Sequence, residues 1–209
     1  LKNPKDPKRA RNKARFVAVG CIIRNGAGHR VLERVVSTIP ISLTGMRLGI
    51  LWETLSEDGV CFSLDVPGAY LLSDLGGEET WLRMPKWLQP SSWDPMSDPV
   101  VRVRKALYGL PRSGEDWSQK AKRVLFEHGY EHLGDVAEES AFVRRVAGRP
   151  GLALVLIYTD DFLISGPRSL CVVVHHQLAM LFGCGQEAAF DLRDFVGLER
   201  EVLGVDAEG

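Results

Sequence analysis

Long apolar runs, paired cysteines and internal repeats are all missing from this sequence. No stretch approaches the roughly 18–20 apolar residues that a membrane-spanning helix needs, so no membrane segment is expected. Cys21, Cys61, Cys171 and Cys184 lie far apart without a C-x-x-C pair. That argues against a zinc site and suits scattered reduced thiols in an intracellular protein. The adjacent His175 and His176 would point about 100° apart on a helix, a poor arrangement for clamping a metal. No low-complexity tract occurs, and no lysine follows Lys122. The chain starts without methionine, and its first segment, "LKNPKDPKRARNKARF", has no apolar signal core. It reads as a piece cut from a longer polypeptide, not as a targeting peptide.

What is present is an ordinary globular composition, 45% hydrophobic and 25% charged, over 209 residues. That length suits one large domain or two small ones with a sizeable core. A net charge of −1 hides an asymmetry. Residues 1–34 hold ten Lys and Arg against Asp6 and Glu33, so the remainder is acidic. A basic arm beside an acidic body suits a polyanionic partner, although many such arms are only solvated tails.

Periodicity predicts an α+β chain, with a largely antiparallel sheet backed by two or three helices. "ARFVAVGCIIR" (14–24) reads as extended and "NGAG" (25–28) as a turn. Leu43, Met46, Ile50, Leu51 and Leu55 have helical spacing, ending at Asp58–Gly59. "VCFSLDV" (60–66), "EETWLRMP" (78–85), "VVRVRKAL" (100–107) and "SAFVRRV" (140–146) read as strands. A second helix is expected over 114–128 with Trp117, Ala121, Val124 and Leu125 on one face. A third carries Leu170, Val173, Val174, Leu178 and Leu181, and "FVGLEREV" (195–202) closes the pattern as a strand. The loop 86–99 holds Trp87, Trp93 and three prolines; its tryptophans suit either loop packing or base stacking.

The segment "LVLIYTDDFLISG" sets Asp160 and Asp161 side by side within an apolar run. A buried strand cannot hold two unpaired carboxylates. A cation, a turn open to solvent, or both must offset their cost. If the backbone turns at Thr159–Asp161, the carboxylates sit at a hairpin tip, where hard oxygen ligands suit magnesium. Two such ions clamp phosphoryl displacements, and "FSLDVPGAYLL" supplies a further carboxylate, Asp65, at the end of a predicted strand.

"SLDVPGAYLLSDLGGEETWLRMP", "VRKALYGLPRSGEDW", "LIYTDDFLISG" and "FVGLE", in that order, resemble the reverse transcriptase of copia-type LTR retrotransposons. "NKARFVAVG" is similar to that family's "YKARLVAKG". The resemblance covers about residues 10–203 and implies a right-hand polymerase of fingers and palm that copies RNA into DNA. With the basic arm read from the charge pattern placed at 1–15, it implies a fingers and palm domain over 16–209, without a full thumb or RNase H. Asp65, Asp160 and Asp161 match the three catalytic aspartates that hold two Mg²⁺ ions, with Asp65 and Asp160 the principal ligands. Tyr70 matches the aromatic that excludes a ribose 2′-hydroxyl; Tyr158 matches the primer-proximal tyrosine. Tyr108, Gly109 and Ser113 match the template- and nucleotide-facing segment, Gly109 letting backbone approach the substrate. Lys13 and Arg15 match residues that hold the triphosphate. The implied partners are an RNA or DNA template with its primer, deoxynucleoside triphosphates, and other parts of a Pol polyprotein such as RNase H and integrase. The implied compartment is cytoplasmic and particle-associated. Two features depart from the family: Gly114 follows Ser113 where proline is usual, and Glu187 stands near an expected lysine, with Arg193 a poor acid in its place. These departures, with the missing thumb, keep an inactive remnant or a non-catalytic nucleic-acid-binding module as alternatives.

Overall fold

A computed structural model of the chain describes residues 14–30, 40–134 and 139–184, with the backbone of 194–195 and 198–199. The basic residues of 1–13, Lys13 among them, and Glu187 and Arg193 lie outside the described residues.

Helix α1 (Leu43–Leu55) starts where the Ser42 side chain accepts the Gly45 N–H at 3.2 Å, capping one of the amides that a helix start leaves without a partner. Its range matches the sequence pattern, but its buried face does not. Met46, Gly45 and Gly49 face inward, while Leu43, Leu51 and Leu55 are half or more exposed. The small residues decide this. A Cβ on Gly49 would come within 2.7 Å of Leu163, so glycine lets the helix lie directly on the sheet. Ser165 then donates to the Gly49 carbonyl at 2.5 Å.

The sheet is five-stranded and antiparallel, in the order β1-β7-β6-β5-β4. Its strands are β1 (Gly59–Asp65), β4 (Glu131–His132), β5 (Ala141–Arg144), β6 (Ala153–Tyr158) and β7 (Asp161–Pro167). A short helix, α2 (Ala69–Leu72), follows β1. Strands β2 (Thr80–Arg83) and β3 (Val100–Val103) form a separate pair, joined through two 3₁₀ turns at Lys86–Leu88 and Ser91–Trp93. In that loop Trp87 is largely exposed. Of the expected strand at 195–202, the described part is a minimal hairpin of β8 (Asp194–Phe195) and β9 (Leu198–Glu199). Residues 14–24 carry no ladder; they touch the rest of the fold through single bonds such as Ala18 N–H to the Tyr108 carbonyl, 2.8 Å. Asn25–Gly28 makes the expected turn.

Strand β6 is buried on both faces, because helices cover both. Phe62, Leu64, Val155, Ile157, Phe162 and Ile164 pack against α3 (Ser113–Glu127) and α4 (Arg168–Leu181). Cys61, Leu154, Leu156 and Leu163 pack toward α1. Full burial of one such side chain contributes about 1.5–3 kcal/mol, so this double-sided sheet is the rigid base on which the loops at one end are held. Helix α3 buries Trp117, Ala121 and Leu125 at the spacing read from the sequence. Helix α4 buries Leu170, Val174 and Leu178, along with His175, whose ring lies 6.0 Å from that of Phe62; His176 is exposed. No described helix is long and apolar enough to cross a membrane.

Candidate active site

Strands β6 and β7 are joined by Thr159 and Asp160 alone, since Tyr158 and Asp161 already face each other in the ladder. So tight a reversal needs an unusual backbone, and Thr159 supplies it at φ +53°. A β-branched residue resists that conformation, which is why something must hold it there. Two neighbours do. The indole of Trp117, itself 1% exposed, donates to the Thr159 carbonyl at 2.5 Å. The N–H of Val66, just beyond β1, donates to the Asp160 carbonyl at 2.9 Å.

The same pairing brings carboxylates together. Asp65 is the last residue of β1 and sits directly opposite Asp161 of β7. Directly opposed residues share a face, with Cβ atoms about 4.5–5.5 Å apart. Tyr158, Asp161 and Asp65 therefore form one row across three strands. Asp65 is exposed, and Asp161 and Tyr158 are half-buried, so the row opens to solvent. Burial and, second, the Asp65 charge push the Cys184 thiol above its ordinary range.

Asp160 is directed elsewhere. The Tyr108 hydroxyl donates to its Oδ2 at 3.4 Å, and the Tyr108 ring lies 4.4 Å from that of Tyr70, tilted by 39°. The Arg15 guanidinium covers the Tyr108 ring at 5.5 Å, a cation–π contact. Burial and the nearby Asp160 charge raise both tyrosine hydroxyls above the ordinary range, so both stay protonated at neutral pH. Among the described residues, no group of three or more His, Cys, Asp or Glu side chains is gathered so as to hold a metal ion. Two of the aspartates face each other and the third faces the tyrosines. The donor set itself is all hard oxygen, which fits a magnesium-like cation and no soft one.

A family model for reverse transcriptase (RNA-dependent DNA polymerase) matches residues 1–207. The chain belongs to the reverse transcriptase family. It is 29% identical over 192 residues to the retrovirus-related Pol polyprotein from transposon RE2 of Arabidopsis thaliana, covering 90% of this chain and 12% of that protein. It is 31% identical over 116 residues to the transposon Ty1-NL2 Gag-Pol polyprotein of Saccharomyces cerevisiae, covering 56% of this chain and 6% of that one. The chain thus spans a small fraction of either relative. No solved structure matches it. These relatives bear out the resemblance to copia-type Pol seen in the motifs.

Within this reverse transcriptase domain, the "LYGLPRS" segment packs in a way that its motif alone does not disclose. Gly109 has φ +93°, and a Cβ there would sit 2.0 Å from the Ala18 carbonyl oxygen. What comes close to Gly109 is therefore the backbone of the opening segment. Ser113 is 1% exposed, and its hydroxyl accepts the Leu107 N–H at 2.9 Å, closing the loop from inside. It shapes the segment through that bond. Helix α3 also ties down the chain after α2. Asp116 accepts the Gly76 N–H at 3.0 Å and pairs with Arg112, and Lys120 donates to the Leu72 carbonyl at 2.8 Å. Sequence periodicity marks Trp117 as buried, but the Asp116 and Lys120 ties carry no signal in it.

Proposed function

We propose that this domain is the fingers and palm core of an RNA-directed DNA polymerase, extending a primer 3′-hydroxyl with deoxynucleoside triphosphates. The observation that carries the reading is the Asp65–Asp161 pair, set in register beside the Tyr158–Asp161 turn. Like charges directly opposite each other weaken a sheet, and a site of this kind is tolerated where a cation completes it. Asp65, Asp160 and Asp161 would hold two Mg²⁺ ions. Bound there, the ions would supply charge neutralisation on the triphosphate and an activated 3′-oxygen for in-line displacement.

The protein's own groups do the rest. Asp65 and Asp161 fix one wall of the site through the ladder. Asp160, on the turn, swings from the Tyr108 hydroxyl to complete it. Tyr70 and Tyr108 form a half-buried aromatic floor beside Asp160, on which a nucleotide sugar would rest. Arg15, held over Tyr108, places a permanent cation where a triphosphate would arrive; for Lys13, outside the described residues, the same role rests on the motif resemblance alone. Tyr158, in the row with the carboxylates, lies where the primer end would lie. Template, primer and other Pol domains are the partners this chemistry needs, in a cytoplasmic particle.

The test is incorporation on a primed RNA template with Mg²⁺ present and then chelated. Incorporation that stops on chelation and returns on adding Mg²⁺ is the expected result. Binding of the primed template with no incorporation at any Mg²⁺ concentration would favour the non-catalytic alternative.

A further inference from the structure

We propose that Trp117 is a positioning residue whose indole N–H holds Thr159 in the left-handed conformation that aims Asp160 and Asp161. The inference rests on the polymerase reading above and extends it to a residue outside the carboxylate set. Threonine at φ +53° is strained, because the branched Cβ crowds its own backbone. Left alone, Thr159 would relax toward negative φ and rotate the peptide that joins it to Asp160. The donor that opposes this is short and immobile. It lies 2.5 Å from the Thr159 carbonyl and comes from a ring that is 1% exposed.

The ring cannot swing away. Phe182 meets its edge at 5.5 Å and is itself stacked on Phe162 of β7 at 5.1 Å. Trp117 thus touches the hairpin twice, directly at its tip and, through Phe182, at Phe162 one rung beyond the turn. The Val66 bond to the Asp160 carbonyl anchors the next peptide. With two successive carbonyls held, the turn fixes the Asp160 Cα–Cβ direction, and only rotation about that bond is left to carry the carboxylate from the Tyr108 hydroxyl to the metal site. Positioning groups that orient metal ligands typically contribute about 10- to 100-fold in metal affinity or activity.

The experiment uses the whole chain and three variants: Trp117→Phe, Thr159→Asn and both together. Phenylalanine keeps an aromatic ring but has no donor, and asparagine tolerates the left-handed region. Mg²⁺ binding is titrated calorimetrically without nucleic acid, and primer extension gives kcat, the KM for deoxynucleotide and the Mg²⁺ half-saturation. Trp117→Phe is expected to weaken Mg²⁺ binding and half-saturation by roughly 10-fold or more, with the nucleotide KM little changed. Thr159→Asn should bind Mg²⁺ at least as tightly as the parent and should recover most of the loss in the double variant. A tryptophan that merely fills the core would show no such rescue. Unchanged Mg²⁺ binding in Trp117→Phe, or a double variant as defective as the single, overturns the proposal. If Trp117→Phe does not fold, weakened Mg²⁺ binding by Thr159→Asn alone overturns it. If the parent chain neither binds Mg²⁺ nor extends primers, the polymerase reading fails and this role falls with it.

Discussion

Asp65→Asn is expected to stabilise the metal-free protein while abolishing primer extension. The two effects have one cause. Asp65 and Asp161 occupy directly opposed positions at the end of the β1–β7 ladder, where like charges disfavour the folded sheet. Asparagine keeps the shape and removes one charge. The gain is on the order of 0.5–1 kcal/mol, or roughly 1–4 °C in Tm for a chain of this size. In the presence of Mg²⁺ the sign reverses, because the parent gains binding energy that the variant cannot. Losing one ligand from a phosphoryl-transfer site removes several kcal/mol of charge stabilisation, a loss of about 1,000-fold in kcat or more. Thermal melts with chelator and with Mg²⁺, run beside primer extension, measure both. A lower Tm in chelator with extension intact would make Asp65 a structural residue of the strand end.

Tyr70→Ala is expected to let ribonucleotides in. Tyr70 is the second residue of α2, a single helical turn that follows Gly68 at φ +68°, so its ring is placed by a reversal shortly after Asp65. It is half-buried, with the Tyr108 ring 4.4 Å away on one side and the Asp160 charge close by. A ring packed between such neighbours cannot yield to an added 2′-hydroxyl. Removing it should cut discrimination between ribo- and deoxynucleotides by roughly 100-fold, the scale at which a close-packed pocket senses one extra group. Tyr70→Phe should keep discrimination, since shape and not the hydroxyl does the excluding. That hydroxyl is raised above the ordinary tyrosine range of about 10 by burial and then by Asp160. Discrimination by the parent should therefore be flat from neutral pH to the alkaline limit of the assay. Competition between the two nucleotide types on one primed template gives the ratio, and an unchanged ratio in Tyr70→Ala would assign the ring to the core alone.

Much of this was legible in the sequence wherever a local pattern carries the information. The apolar runs flanking Asp160–Asp161 announced a hairpin, and the alternation ending at Asp65 placed a third carboxylate on a neighbouring strand end. Trp117, Ala121 and Leu125 announced the buried face of α3. The spacing of Leu43, Met46, Ile50, Leu51 and Leu55 marks α1 as a helix but does not tell its buried face, because Gly45 and Gly49 are what allow contact with the sheet. Other features depend on partners remote in sequence, which no period encodes. The Trp117 bond to Thr159 spans 42 positions. The close approach of Ala18 explains why residue 109 is glycine, and the inward Ser113 hydroxyl depends on how "LYGLPRS" curls back on Leu107. The contact of Asp160 with the Tyr108 hydroxyl is of the same kind, since a two-residue turn can present a side chain to either face.

The most direct measurement is primer extension on poly(rA)/oligo(dT) with Mg²⁺ and dTTP, comparing the parent chain with an Asp160→Asn, Asp161→Asn variant. Circular dichroism on both would show the fold retained. The carboxylate site proposed here predicts extension by the parent and a loss of about 1,000-fold or more in the folded variant. Equal extension by the two would contradict the assignment of Asp160 and Asp161, and absence of extension from a folded parent would contradict polymerase activity in this chain.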